Sequence, residues 1–427
     1  MKVLFVFPNA PLSESYSGAA SRFFCSYQAL IRLGYEVFVW RPLSSTEIGR
    51  VEAFERENPT ETAITHNLIA YWQDIEYTEN YLIPSWVPHF SMSIFRTIHA
   101  IFDPYDYCFP GAASLRNEFG IILEKFNPDL VWVETTFIGA VVFPIIDIPW
   151  IYQNHDFFYR LKPIRFLAQG KKQSSRSKLE NKLLKHIEFK ILKKSNYIVT
   201  GSVSEANEIS RHGQSNVVVI PTTYHSISLQ PKTIKQTEKF VVHINHLGAL
   251  STTANYVGLK TYLETVHPQL INLLRQQNIQ VELVLVGDPT NAKQDLLQLI
   301  SKNNIKLLGF KKDLREVLRP FDISIIPYNE NTGTRTKVPL LMNHAQIIVA
   351  TENSVAGNPE VFNCEGCFFT KDVIDFLDPI LRLALNSRLR EKMGLAAKAF
   401  FEEHFTLESH LECYKTALDN TILENNI

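Results

Sequence analysis

Twelve short apolar runs, separated by segments of helix length, recur along the chain. The first half holds KVLFVFP, YEVFVW, PDLVWVE, IPWIYQN, NYIVTGS and NVVVIP, and the second half holds FVVHINHLG, VELVLVG, IKLLGF, ISIIPY, QIIVAT and CFFT. Runs that stay apolar at successive positions mark strands covered on both faces, and their alternation with helices marks parallel sheets. Twelve strands exceed what one open sheet usually holds, so the pattern predicts an α/β protein of two doubly wound parallel-sheet domains. The break falls in the polar stretch TTYHSISLQPKTIKQTEK after NVVVIP. It gives an N-terminal domain over 1–224, a C-terminal domain over 225–400, and a C-terminal helical segment over 401–427 with the N-terminal domain as its candidate docking face.

Two segments interrupt the alternation. Residues 70–110 are dense in aromatics, among them Tyr71, Trp72, Tyr77, Tyr81, Trp86 and Phe90, and read as an insertion between strand–helix units. Residues 171–194 carry nine Lys or Arg against two Glu, with Leu179, Leu183, Ile187 and Ile191 every fourth position. That spacing is one apolar stripe on a helix packed against the sheet; its basic side is a candidate for contact with anionic lipid or an anionic acceptor.

Composition narrows the class. Of 427 residues, 45% are hydrophobic and 20% charged, and 43 basic side chains nearly balance 44 acidic ones, so no global field favours nucleic acid. No run reaches the length of a membrane span and VLFVF is too short for a signal peptide, which gives a cytoplasmic expectation. The five cysteines are sparse and odd in number, without a disulfide framework. CEGC has metal spacing, but no second cysteine pair or nearby histidine cluster completes a zinc site; it reads as two thiols at a turn and a strand edge.

In open parallel sheets ligands bind beyond the carboxyl ends of the strands, so the residues after each run carry the candidate chemistry. Glycine is scarce, 17 in the whole chain, yet Gly248, Gly287, Gly309 and Gly333 stand at or just past run ends. NENTGTRTK follows ISIIPY and precedes a helix expected near Val338–Pro339. Its Gly333, Thr334, Arg335 and Lys337 make a candidate anion clamp: a guanidinium matches phosphate with a planar fork, an ammonium adds a point charge, and free helix N–H groups point the same way. After the first run, Ser17, Gly18, Ala19 and Ala20 precede a helix expected from Ser21, where small residues let a ligand approach the backbone. The fourth run ends in QNHD, which sets His155 and Asp156 at a carboxyl edge.

In their order and spacing these pieces resemble the retaining glycosyltransferases of family 4. The resemblance runs from SGAASR and GYEVFVW through PDLVWVE, the HD pair and IEFKILKKSNYIVTGSVSEANEI to HLGALSTTANYVGLKTYLETVHPQL, VELVLVGD, LLGFKKDLREVLRPFDISIIPY and GTRTK with IIVAT. It implies a GT-B fold, with a nucleotide-sugar donor lying between two Rossmann-like domains, and a hexosyltransferase type of activity on a glycan, lipid-linked or small-molecule acceptor. Arg335 and Lys337 would hold the diphosphate and Gly18 and Ala19 would approach it by backbone. His155 would contact the transferred sugar, and Gly309, Phe310 and Leu314 would lie near the base. Transfer would proceed with retention and without a metal or other cofactor; no D-x-D triplet occurs. The chain departs from the pattern at Leu340, where a ribose-binding Glu is expected, at Ala345, where a glycine is expected, and after Gly248, where Ala249 and Leu250 replace a basic pair. Leu340 keeps open a non-catalytic binding or scaffold protein, and the fold a sugar-nucleotide epimerase.

Overall fold

The computed structural model describes residues 1–59, 66–72, 100–168, 173–229, 241–330 and 334–423. The chain divides into two compact units, the first made of Met1–Ile220 with His410–Ile427 and the second of Pro221–Ser409.

The first unit is a seven-stranded parallel sheet of β1 (Lys2–Val6), β2 (Glu36–Ser44), β3 (Asn67–Trp72), β4 (Leu130–Glu134), β5 (Trp150–Asn154), β6 (Tyr197–Thr200) and β7 (Val217–Val219), in the order β3-β2-β1-β4-β5-β6-β7. All twelve apolar runs are strands, and β3 is the thirteenth. It forms the edge of the sheet, with Val39 of β2 opposite Asn67, and exposes Ile69 and Tyr71. The expected insertion at 70–110 therefore begins inside a strand, and Pro104–Cys108 is helical. The aromatics Tyr77, Tyr81, Trp86 and Phe90 lie outside the described residues.

The strands bury both faces. Val3 to Val6, Leu130 to Val133 and Trp40 are fully enclosed, and Trp40, Phe119, Trp150 and Ile187 share one core. The basic helix Ser175–Lys194 closes over this core through Leu184, Ile187 and Ile191. Its stripe starts later than the sequence implied, because Leu179 is 69% exposed in the early turns and Leu184 takes the inward place. The helix Leu411–Leu423 lies in the first unit, where Tyr414, Ala417 and Leu418 are buried and the Tyr414 ring meets Trp132 of β4 at 5.7 Å. The expected break at 400 falls inside the helix Ser387–His404, so the chain leaves the second unit only after Ser409.

The second unit is a six-stranded parallel sheet of β8 (Val241–Leu247), β9 (Gln280–Val286), β10 (Lys306–Leu307), β11 (Ile323–Ile326), β12 (Ile347–Thr351) and β13 (Cys367–Thr370), ordered β10-β9-β8-β11-β12-β13. Ile244, Leu259, Leu285, Ile325, Val349 and Phe376 fill one face; Ile326, Val338, Leu341, Ile348 and Phe401 fill the other. Cys364 ends a 3-10 turn and Cys367 opens the edge strand β13, both as free thiols. No described helix is long and apolar enough to cross a membrane.

Both sheets share one plan. The first strand of each unit lies beside its fourth, β1 against β4 and β8 against β11, so successive connections leave in opposite directions at that seam. The seam opens a crevice at the carboxyl ends of the strands.

Candidate active site

At the seam of the second unit, β8 ends in Leu247 and the chain turns at Gly248 with φ of 141°. The turn has no room for a side chain: a Cβ on Gly248 would lie 2.4 Å from Asn255 Nδ2 and 3.0 Å from Lys337 Nζ. Lys337 is the first residue of the helix Lys337–Asn343, with Pro339 in its first turn, so that helix starts one residue before the predicted Val338. Its ammonium reaches back to donate to Leu247 O at 2.5 Å and to Asn255 Oδ1 at 3.0 Å. Asn255 Nδ2 in turn donates to Ala249 O at 2.8 Å, tying the turn to the cation. An ammonium has three donors, and one remains for a ligand. Burial, aided by Arg335, lowers the Lys337 pKa to about 7. His246, buried beneath, accepts no charge: burial and the Lys337 cation pull it to about 3, and its Nδ1 meets Ile325 O at 3.1 Å.

Arg335 is set from the β12 side. Its backbone N–H donates to Asn358 Oδ1 at 2.7 Å, its Nε to Ser354 O at 3.0 Å, and its guanidinium lies 5.6 Å from the Tyr328 ring centre. Two cations from one loop are thus held at the carboxyl edge of β8, β11 and β12. The Thr334 hydroxyl is buried without a hydrogen-bond partner among the described residues. Gly333 lies outside the described residues.

The other residues named for donor binding divide. Gly309 follows β10 with φ of 68°, and its carbonyl accepts the Gly287 N–H at 2.8 Å. Phe310 beside it is 57% exposed. Leu314 and Leu340 both pack against the apolar cluster of Ile326, Val338 and Leu341, so each is bound up in packing. Where the basic pair was expected after Gly248 there is none, yet Lys337 delivers a cation to that same turn from the neighbouring loop. Ala345 takes φ of 52°, the left-handed backbone that favours the expected glycine.

At the seam of the first unit, the helix Gly18–Arg32 begins at Gly18, three residues before the predicted start. Ser17 caps it, its Oγ accepting the Ala20 N–H at 3.1 Å. Ser17 and Ala19 are exposed, and the Gly18 and Ala19 N–H groups have no intrahelical partner by geometry. His155 follows β5, its side chain 14% exposed, with Nε2 2.6 Å from Oε2 of the fully buried Glu134. Glu134 ends β4 and accepts the Trp132 Nε1–H at 2.9 Å on its other oxygen. Burial raises this carboxyl to about 8. Burial, with Arg22, holds His155 well below the usual imidazole range.

Glu134, Arg22 and Asn255 were not picked from the sequence. A carboxylate closing the otherwise apolar run LVWVE was the available signal for Glu134; nothing local marked Asn255, whose partner is 82 residues away.

A model of the family Glycosyl transferases group 1 matches residues 241–386, which contain β8 to β13 and the Lys337 cluster. Residues 241–386 are a glycosyl transferases group 1 domain. No curated protein sequence matches the chain. Among solved structures, sucrose-phosphate synthase from Thermosynechococcus elongatus aligns with a TM-score of 0.66 at 12% identity, over 99% of this chain and 100% of that one. HepE from Anabaena in complex with UDP aligns at 0.62 and 13% identity, over 98% and 100%. A point mutant of S. aureus TarM in complex with fondaparinux, α-GlcNAc-glycerol and UDP aligns at 0.63 and 11% identity, over 97% and 99%. At such identities the likeness establishes the fold, which is GT-B, and the group 1 domain is its second unit.

Proposed function

We propose that the protein transfers a hexosyl group from a nucleotide-diphosphate sugar to a glycan, lipid-linked or small-molecule acceptor, with retention at the anomeric carbon. The observation that carries this reading is the pair Arg335 and Lys337, fixed by Ser354, Asn358, Leu247 and Asn255 at the seam of a group 1 domain. In the reaction the bond between the sugar C1 and the diphosphate oxygen breaks with its electron pair staying on the phosphate, an acceptor hydroxyl oxygen bonds to C1, and the hydroxyl proton passes to the departing diphosphate. A preorganised guanidinium and ammonium stabilise that developing charge, so neither a covalent enzyme intermediate nor a metal ion is required. Gly248 contributes backbone close to the diphosphate because no side chain fits there. His155 takes a hydroxyl of the transferred sugar, and Ser17, Gly18 and Ala19 offer backbone N–H groups to phosphate. Solved relatives of the same fold described with UDP or UDP-glucose support a uridine nucleotide as the first donor class to try.

A panel of nucleotide sugars tests the reading, with mass spectrometry for the product and proton NMR for its anomeric configuration. One nucleotide diphosphate raises the melting temperature, and its sugar appears on an acceptor with unchanged configuration. If no nucleotide diphosphate stabilises the protein, the proposal fails. Leu340, an apolar side chain partly buried against an apolar cluster, favours a second reading in which the nucleotide is bound but nothing is transferred; stabilisation by UDP without product from any donor would establish it. The exposed Lys178, Lys182, Lys185, Lys190 and Lys193 of the basic helix support peripheral contact with anionic lipid. Cosedimentation with phosphatidylglycerol vesicles that weakens at high salt is the result expected.

A further inference from the structure

The first unit contains a built pair of which the proposed transfer uses only His155. We propose that Glu134 is a positioning residue for His155: its carboxyl group engages Nε2, so that the ring presents only Nδ1 to a ligand at the carboxyl edge of the first sheet. The ligand, a sugar hydroxyl, rests on the glycosyltransferase reading; the ring geometry does not.

Four observations converge. The Nε2 to Oε2 distance is 2.6 Å and Glu134 is fully enclosed, so water does not compete for it. Its other oxygen is held by Trp132, two residues earlier on the same strand face and itself fully buried. The register of β4 and β5 sets Glu134 opposite Gln153, which brings the chain beyond β5 across the carboxyl group. Immediately after Glu134, Thr135 adopts φ of 73°, a left-handed backbone that a β-branched residue rarely takes and that concentrates at functional sites.

The pair also determines what Nδ1 does. Around the pair stand Phe23, whose ring centre lies 5.1 Å from that of His155, and Arg22 of the same Gly18–Arg32 helix, whose Nη1 donates to His155 O at 3.4 Å; Glu205 faces Arg22 and Asp156, and Tyr152 and Tyr414 face Glu134. With the carboxyl raised to about 8 and the imidazole held low, near neutral pH the acid keeps its proton and donates it to Nε2. The ring's own proton then sits on Nδ1, which faces a ligand as a donor. Above about pH 8 the carboxyl loses its proton to solvent, the ring proton moves to Nε2 to meet the carboxylate, and Nδ1 becomes an acceptor. One proton leaves the pair and the ring stays neutral throughout.

Nitrogen-15 NMR of the histidine-labelled full chain tests this, with the His155 signals assigned by His155→Asn. The wild type shows the Nδ1–H tautomer at pH 6.5 and moves towards Nε2–H by pH 9. Glu134→Gln, which keeps the shape and an N–H donor, stays Nδ1–H across that range. Glu134→Leu gives a mixture of both at every pH. In that variant turnover falls on the order of tenfold, the worth of one lost hydrogen bond, while KM for the donor changes little. Identical His155 signals in the wild type and Glu134→Leu would overturn the proposal. If no transfer is found in any form, the enzymatic reading fails and the tautomers still decide the role of Glu134. Unfolding of Glu134→Leu is checked by its melting curve, and Glu134→Gln then carries the test through the pH change alone.

Discussion

The two units use one strand order and place different chemistry at the equivalent seam. In the first, β1 against β4, the groups buried there are acids, a histidine and the guanidinium of Arg22. Glu134 is pushed up to about 8 and Glu205 to about 7, with Glu188 at about 8 nearby, all mainly by burial. In the second, β8 against β11, stands a partly buried cation, Lys337, pushed down to about 7 mainly by desolvation. Desolvation disfavours the charged form in either case, so each seam stores a group close to its titration point. The difference lies in what relieves the desolvation. An incoming anion recharges the lysine, whereas the carboxyl is already answered by His155 and Trp132. The topology supplies two crevices, and the side chains make them differ: the second holds a lysine whose charge an anion would restore, the first a carboxyl that is already paired.

The largest expected effect breaks the second crevice without touching its charges. In the helix Thr253–Thr261, Gly258 crosses so close to the end of β11 that a Cβ would lie 1.2 Å from Pro327 O. Gly258→Ala should cost on the order of 4 kcal/mol or more and lower the melting temperature by roughly 10 °C. Gly49 in the first unit has nothing within 4 Å of such a Cβ, so Gly49→Ala should leave the melting temperature unchanged within about 2 °C, the shift of a surface substitution. Equal effects from the two would show that the close approach is not real.

Removing the charge comes next. Lys337→Met keeps the length of the side chain and loses both hydrogen bonds at the Gly248 turn. Turnover should fall about a hundredfold or more, the scale of one preorganised donor in a transition state, and stabilisation by UDP should vanish. Arg335→Ala should act the same way. Steady-state kinetics at saturating donor reads both, and unchanged kcat in either variant would remove the anion site from the second seam.

Much of this was open to reading from the sequence. Continuous apolar strands need no partner information, so the runs at Val3–Val6, Leu130–Val133 and Ile347–Ala350 declared themselves. The edge strand NLIAYW was hidden because one of its faces is wet, and its alternating pattern sits beside an aromatic-rich segment. The charges of Arg335 and Lys337 were legible after a strand. The partial burial of Lys337 was not, because that depends on Leu247 and Asn255, which approach only when β8 lies against β11. Glu134 was overlooked for the same reason: a carboxylate ending a strand looks exposed until the neighbouring strand delivers His155 onto it. Leu340 and Ala345, which broke the family pattern in the sequence, have local physical accounts, an apolar cluster for the one and a left-handed backbone for the other.

Proton coupling sharpens the comparison further. Lys337, with a pKa of about 7 in the protein alone, should be driven to the charged form by a diphosphate. Binding of UDP at pH 8 should then take up close to one proton, and affinity should weaken by up to about tenfold per pH unit above pH 7. Calorimetry in buffers of different ionisation enthalpy measures the uptake, and Lys337→Met should abolish it. Uptake of the same size in that variant would place the titrating group elsewhere.

The subtlest difference lies in stability against pH, where the two units should slope in opposite directions. Glu134 has a folded pKa of about 8 against an ordinary 4.5, so the folded state holds the extra proton between those values. Its contribution is complete below pH 4.5 and is lost as the pH rises through 8. Lys337 has a folded pKa of about 7 against 10.5, so there the unfolded state holds the extra proton and stability rises with pH across that window. Each group contributes at most about 1.4 kcal/mol per pH unit, and Glu188 and Glu205 share the sign of Glu134. Native-state hydrogen exchange separates the units, because amides of β4 and β5 report the first and those of β8 and β11 the second. Between pH 6 and 8 protection should fall in the former, and Glu134→Gln should lessen that fall, the share of Glu188 and Glu205 remaining, while leaving β8 and β11 unaffected. Parallel slopes in both sheets would mean that the buried acids and the partly buried lysine are not what distinguishes the two seams.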